Sequence, residues 1–353
     1  MKKEHKIRVG ISVGDLNGIG PEVILKTFDD PRMFDFCTPV VFANAKLMSF
    51  FKKNIHGKAY IQNTKTLDNI IDGKLNVINV WEEAVTINFG EENTKIGSYA
   101  IKSLVVATEA LKSDTIDVLV TAPINKNAIQ SEEFKFPGHT DYLNQELEGD
   151  SLMFMVTDEL KVGLLTDHVA LTEVVKNLSP GIISQKISTI HQSLIKDFKI
   201  SKPKIAVLGI NPHTGDNGVI GKDDDNLLRP TLEKIKEAGK LVFGPYAADS
   251  FFGSENYKHF DAVVATYHDQ GLIPFKTLSF GKGVNYTAGL SHVRTSPDHG
   301  TAFEIAGQNK ADHSSFTEAV FRAIRIFRNR KLYAELTKNP LKKMPVKKFA
   351  KRD

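Results

Sequence analysis

An α/β protein with a largely parallel sheet is predicted for this chain, and three observations carry that prediction. Short runs rich in β-branched residues recur along the sequence, nearly continuous in apolar character, as strands buried on both faces are. Segments with helical spacing alternate with them, and most runs end in a polar or glycine-rich turn. At 353 residues, 41% hydrophobic and 25% charged, the chain can bury a large core. That length suits two domains or one large α/β unit.

The strands are expected at residues 7–13, 40–43, 77–80, 118–123, 162–166, 205–210 and 262–267. Between residues 98 and 113, Ile101, Leu104, Val105, Thr108 and Leu111 share one helical face. Ser179-Pro180 has the N-cap and first-turn chemistry of a helix running toward Asp197. Ser315-Phe316-Thr317-Glu318 reads as a capping box, followed by Val320, Phe321, Ile324 and Phe327 on one stripe. With no repeat and no low-complexity linker, any domain boundary is expected to be crossed more than once.

Composition excludes several classes. Cys37 is the only cysteine, so no intrachain disulfide can form and a reducing compartment is the simpler setting. The basic start of the chain leads into a short strand-like run ending at Gly14-Asp15, not into an export core. No apolar stretch approaches the ~18 residues of a membrane helix. A cytoplasmic protein without a membrane partner is expected. The net charge of +4 resides in residues 338–353, which hold seven Lys/Arg and one acid, so the rest is slightly acidic. That distribution points to a solvated tail, and no nucleic-acid partner is expected.

Three histidines carry the strongest chemical signal. His168, His213 and His268 each follow a predicted strand at its carboxyl end, where open α/β sheets bind ligands. One such histidine is commonly a satisfied polar residue. Three in matching register could gather a divalent cation and leave positions open for substrate. The turn Gly14-Asp15-Leu16-Asn17-Gly18-Ile19-Gly20-Pro21-Glu22 joins the first strand to a helix whose N-terminus could face an anion. Its spacing fits neither a dinucleotide fingerprint nor a Walker loop, and a packing role is open to it.

Lys276, Lys282, Asn285 and Arg294 form a cationic and polar run suited to phosphate or carboxylate. The turn from Thr295 through Ser296, Asp298, His299, Gly300, Thr301 and Ala302 could hold a nucleotide ribose or diphosphate. In Pro137-Gly138-His139-Thr140-Asp141, His139 and Thr140 are candidate substrate contacts, with a plain helix cap the alternative. Asp223-Asp224-Asp225 is expected to decorate a helix N-terminus.

These stretches together resemble the 4-hydroxythreonine-4-phosphate dehydrogenase family of pyridoxal phosphate biosynthesis. The runs are GDLNGIGPEV, VTAPINK, PGHTDYL, Thr166-Asp167-His168, LGINPHTGDNG, YHDQGLIPFK, GKGVNYTAGL and RTSPDHGTAFEIAG, in order from residue 14 to about residue 307. The resemblance implies two α/β/α domains around a cleft, like isocitrate and isopropylmalate dehydrogenases. Residues 1–128 with 300–353 would form one and residues 129–299 the other. It implies a homodimer with its active sites at the interface, and a zinc, magnesium or cobalt ion on His168, His213 and His268 from both subunits. Substrate contacts would be His139, Thr140, Lys276, Asn285 and Arg294, with Asp249 added. Asp249, Lys276 and a metal-bound water are the candidates for the base. NAD or NADP would lie near Ser296, Asp298, His299, Gly300, Thr301 and Ala302. The chain departs from the family at Leu16, usually proline, and at Asp167 and Ala170, usually threonine and proline.

The activity so implied is oxidation of 4-phosphohydroxy-L-threonine at C3, with decarboxylation. Sister enzymes of the same chemistry act on erythronate or threonate 4-phosphate. A metal-dependent hydrolase or lyase would use the histidines without a nicotinamide.

Overall fold

The computed structural model describes residues 6–132 and 134–341. The basic tail beyond residue 341 and the first five residues lie outside the described residues. Twelve strands form one continuous sheet: β1 (Ile7–Ser12), β2 (Cys37–Ala43), β3 (Ile61–Thr64), β4 (Leu75–Asn79), β5 (Val118–Thr121), β6 (Gly149–Val156), β7 (Lys161–Leu164), β8 (Lys204–Leu208), β9 (Leu241–Tyr246), β10 (Ala262–Ala265), β11 (Val284–Leu290) and β12 (Arg294–Pro297). Helices α1 (Gly20–Phe28), α2 (Met33–Phe36), α3 (Ala45–Asn54), α4 (Thr94–Lys112), α5 (His139–Glu146), α6 (Pro180–Lys196), α7 (Arg229–Glu237), α8 (Ala248–Gly253), α9 (His268–Ser279) and α10 (Ser314–Thr337) connect them. The predicted α/β class is the observed one.

The sheet order is β3-β4-β2-β1-β5-β12-β11-β6-β7-β10-β8-β9. The two outer parts are parallel, and the antiparallel pairs β12–β11, β11–β6 and β6–β7 join them. Each of the seven expected strands exists, with shifted ends. The central strands β6, β11 and β12 and the edge strands β3 and β9 were not anticipated. β12 pairs with β5 and so belongs to the amino-terminal part of the sheet.

Local chemistry explains several boundaries. Asn93 caps α4 by accepting from Lys95 and Ile96 N–H at 2.9 and 3.3 Å. Ser179 caps α6 through Ile182 N–H at 3.2 Å, with Pro180 at the first helical position as expected. The capping box at Ser315 does not form. Helix α10 begins one residue earlier, and the Ser315 hydroxyl donates to the Gly283 carbonyl at 2.7 Å and accepts from Asp298 N–H at 2.9 Å. Ser315 thus ties the helix to the lead-in of β11 and to the turn after β12.

Among the described residues, no helix is long and apolar enough to cross a membrane. A buried polar hub closes the back of the junction. Asp197 accepts from Tyr286 Oη at 2.6 Å and from Arg330 Nε at 2.7 Å, joining α6, β11 and α10.

Candidate active site

Arg294 opens β12, in the sheet between β5 and β11, and each neighbour offers it a threonine hydroxyl. Its Nε and one terminal nitrogen donate to Thr121 Oγ1 at 3.1 and 2.6 Å, and the other to Thr287 Oγ1 at 3.0 Å. The side chain is 2% exposed, and no described carboxylate pairs with it. Burial pushes its pKa down to about 9. A guanidinium kept in the interior without a counter-ion carries a large desolvation cost, which an anionic ligand would offset. Two of its five N–H donors remain free for such a ligand.

That side chain borders a cavity of about 220 Å³, lined also by Thr121, His139, Thr140, Asn285, Ser296 and His299. Three buried polar atoms around it have no hydrogen-bond partner among the described residues: His139 Nε2, Asn285 Oδ1 and His299 Nε2. Buried polar atoms are normally paired, so three orphans on one cavity describe a site built for a polar ligand. Burial, and then the charges of Arg294 and Lys126, hold the His139 imidazole well below its usual pKa and keep it neutral. His139 and Thr140 open α5 behind Gly138, so that helix N-terminus also faces the cavity.

The three histidines follow β7, β8 and β10, and β10 lies between the other two with all strands parallel. His168 and His268 meet, with ring centroids 6.0 Å apart. Burial and the Lys126 charge lower the His168 pKa, which favours the neutral form that binds metal. Asp269 Oδ1 lies 2.7 Å from His268 Nδ1 and fixes that ring's tautomer, as outer carboxylates do for metal-bound histidines. His213 does not join them within this chain. It is exposed in a turn where His213, Thr214, Gly215, Asp216 and Asn217 all take positive φ. Among the described residues, no three His, Cys, Asp or Glu side chains converge as a metal site.

Asp224 holds that turn in place, a role its sequence position beside two other aspartates concealed. It is fully buried and accepts from Ile210 N–H at 2.8 Å, Asn211 N–H at 2.9 Å and Asn211 Nδ2 at 3.1 Å. It is not merely a helix-end charge. Asp224→Ala strands these donors, and a loss of about 2–3 kcal/mol in unfolding free energy is expected from denaturant titration. A variant as stable as the parent would contradict this anchoring.

The turn at residues 14–22 and the one after β12 come together from opposite ends of the chain. Ile19 N–H donates to the Thr301 carbonyl at 3.0 Å, and a Cβ on Gly18 would lie 2.8 Å from that same oxygen. The start of α1 is therefore covered by protein rather than open to an anion. Ser296, His299 and Gly300 line the cavity. Asp298 is held by Ser315, Thr301 by Ile19, and Ala302 turns in the left-handed region.

Beneath this junction Asp15 is buried, with Oδ1 accepting from Asn17 N–H and Oδ2 unpaired. Burial raises its pKa from 3.8 to about 6. A raised folded pKa contributes stability that is complete below the unfolded value and lost as pH rises through the folded one. Asp15→Asn removes that loss. The variant should gain on the parent by up to about 3 kcal/mol between roughly pH 4 and pH 7 in parallel unfolding titrations. Identical pH profiles would contradict a buried protonated carboxyl.

Two expected site residues stand off the cavity wall. Lys276 is exposed on α9 and reaches the Asp298 carbonyl and Oδ1, both at 3.0 Å, next to His299. Asp249 is exposed in the first turn of α8. Conversely, sequence reasoning missed Thr121 and Lys126, both of which line the cavity. Their signal was the VTAPINK run at a strand's carboxyl end.

A largely parallel α/β sheet whose strand ends surround a buried guanidinium with no described carboxylate partner, and neutral imidazoles, defines an enzyme for a small anionic ligand. Comparison with known proteins makes that class particular. The family profile described as pyridoxal phosphate biosynthetic protein PdxA matches residues 35–323. The 4-hydroxythreonine-4-phosphate dehydrogenase of Bacteroides thetaiotaomicron is 44% identical over 343 residues, 97% of this chain and 94% of that one. The D-threonate 4-phosphate dehydrogenase of Cupriavidus necator is 35% identical, over 88% of this chain and 95% of that one. A crystal structure of 4-hydroxythreonine-4-phosphate dehydrogenase from Klebsiella pneumoniae superposes with a TM-score of 0.79 at 31% identity, over 93% of this chain and 99% of that one. The chain belongs to the PdxA family, and it is a dehydrogenase.

Proposed function

We propose that this dehydrogenase oxidises the C3 alcohol of 4-phosphohydroxy-L-threonine with NAD+ or NADP+ in the cytoplasm, serving pyridoxine 5′-phosphate synthesis. The carrying observation is Arg294: a buried guanidinium with no carboxylate partner among the described residues, facing a cavity beside His139 and Asn285, each with a polar atom that no described residue pairs. Such a site suits a small substrate with anionic groups and hydroxyl or amino hydrogen-bonding groups. Arg294 binds one anionic end, the neutral His139 ring offers Nε2, and Asn285 Oδ1 accepts from a substrate O–H or N–H.

His168 and His268 fit a divalent cation, zinc, magnesium or cobalt, with His213 supplied by a second copy of the chain. Such a cation, when bound, acts as a Lewis acid on the reacting oxygen. Ser296, Asp298, His299, Gly300, Thr301 and Ala302 would hold a nicotinamide, which would supply the hydride acceptor that no side chain provides. The substrate loses hydride from C3 and its hydroxyl proton, becoming a β-keto acid. The C1–C2 bond then breaks toward the C3 carbonyl, carbon dioxide leaves, and a proton is taken up at C2 to give 3-amino-2-oxopropyl phosphate. Lys276 acts through Asp298 on the turn beside His299. Asp249, like His213, would reach a site only across a dimer interface. Exposed Leu171 at 72% and Val219 at 82%, soon after His168 and His213 in the chain, support such an interface.

Oxidation of D-threonate 4-phosphate is the second reading, favoured by the named activity of the Cupriavidus relative. A rapid-mixing comparison tests the order of chemistry on the first substrate. Carbon dioxide should appear with reduced nicotinamide and faster than the free keto acid decays in solution. Release no faster than that decay would confine the enzyme to oxidation.

A further inference from the structure

We propose that Lys126 is a second anion-binding residue of the cavity, set at its rim to take the substrate oxyanion that Arg294 does not hold. This rests on the reading of the cavity as a phosphorylated hydroxy-acid site. The loop that carries Lys126 is pinned on both sides. Asn125 Oδ1 accepts from Asn127 and Ala128 N–H, each at 2.9 Å, and Asn125 Nδ2 donates to Glu92 Oε2 at 3.0 Å. The Lys126 carbonyl itself accepts from Gln130 Nε2 at 3.1 Å. The side chain is left free. Among the described residues its Nζ makes no hydrogen bond or ion pair, and its Cε lies over Gly138, 3.9 Å from where a Cβ would stand.

From that position Lys126 lines the cavity together with Arg294, His139 and His168, and its charge acts on both histidines. The cavity therefore presents two cations without carboxylate partners, one buried at the sheet and one at the opening. A single anion would leave one of them uncompensated. A substrate with both a carboxylate and a phosphate engages both, and an ammonium on a flexible stem suits the end nearer water.

Titration calorimetry on the full protein without nicotinamide tests this, using 4-phosphohydroxy-L-threonine and unphosphorylated 4-hydroxy-L-threonine with parent, Lys126→Met and Lys126→Arg chains. Lys126→Met should weaken binding of the phosphorylated compound by about tenfold to hundredfold, and Lys126→Arg should restore most of it. In turnover the Met variant should raise KM more than it lowers kcat, and added salt should narrow the difference. A weakening that vanishes with the unphosphorylated compound assigns Lys126 to the phosphate; one that persists assigns it to the carboxylate. Both support the proposal. Equal affinity of parent and Lys126→Met for the phosphorylated compound overturns it alone. No binding of either compound by the parent overturns the proposed substrate and this inference together.

Discussion

Arg294→Met is expected to lower kcat/KM by about tenfold to hundredfold or more while leaving the apo protein no less stable than the parent. The two effects have one origin. The guanidinium sits 2% exposed with only threonine hydroxyls for company. In the apo protein it is a desolvated cation without a counter-ion, so replacing it with an apolar side chain of similar length costs little or stabilises. In the complex it makes charge-assisted hydrogen bonds worth about 1.5–3 kcal/mol, which the variant loses. The sign of the pH dependence follows from its pKa of about 9. Only the cation binds the anion, so the parent's affinity should fall as pH rises through about 9, and the variant should lack that limb. Steady-state kinetics across pH, with thermal unfolding of both proteins, measures all of this. Unchanged kcat/KM would remove Arg294 from the site, and strong destabilisation would make it a structural residue.

Subunit mixing carries the second large effect. His168→Ala and His213→Ala chains should each be inactive alone, because losing one imidazole from three removes most of the metal affinity. Activity should reappear when the two are mixed and exchanged. In the heterodimer one of the two sites then holds His168 and His268 from one chain and His213 from the other. The geometry motivates this: His168 and His268 rings lie 6.0 Å apart, whereas His213 stays on an exposed turn. Verified heterodimers that remain inactive would contradict a shared site.

Most of the outer, parallel parts of the sheet was legible because strands buried on both faces are written as β-branched runs, as in β1 and β10, whereas the half-exposed edge strands β3 and β9 carry no such run. The centre was not. β12 reads Arg-Thr-Ser-Pro, with no apolar pattern, and is nonetheless wholly buried because β5 and β11 flank it. Arg294 and Ser296 line the cavity while the Thr295 hydroxyl donates to the Ala319 carbonyl of α10, so local propensity and tertiary role disagree. β11, though not anticipated, carries a period of two: Val284, Tyr286 and Ala288 alternate with polar Asn285 and Thr287, a signal that the surrounding glycines obscured.

For the candidate site, the sequence offered residue types and the fold decides which of them share one cavity. Arg294, His139, Thr140 and Asn285 line one cavity. Lys276 has an equally suitable side chain, but its helix aims it at Asp298. Asp224 shows the converse. Three consecutive acids look like helix decoration, and only burial shows that the middle one holds the His213 turn.

The direct test of the whole reading is reduction of nicotinamide by the purified protein, followed by absorbance, with a divalent cation and a panel of phosphorylated hydroxy acids. With 4-phosphohydroxy-L-threonine, reduced cofactor should accumulate, a chelator should stop it, and the kcat/KM should exceed that for D-threonate 4-phosphate. A higher kcat/KM for D-threonate 4-phosphate would transfer the assignment to the second substrate. No reduction of either nicotinamide with any member of the panel would contradict the proposed substrate class itself.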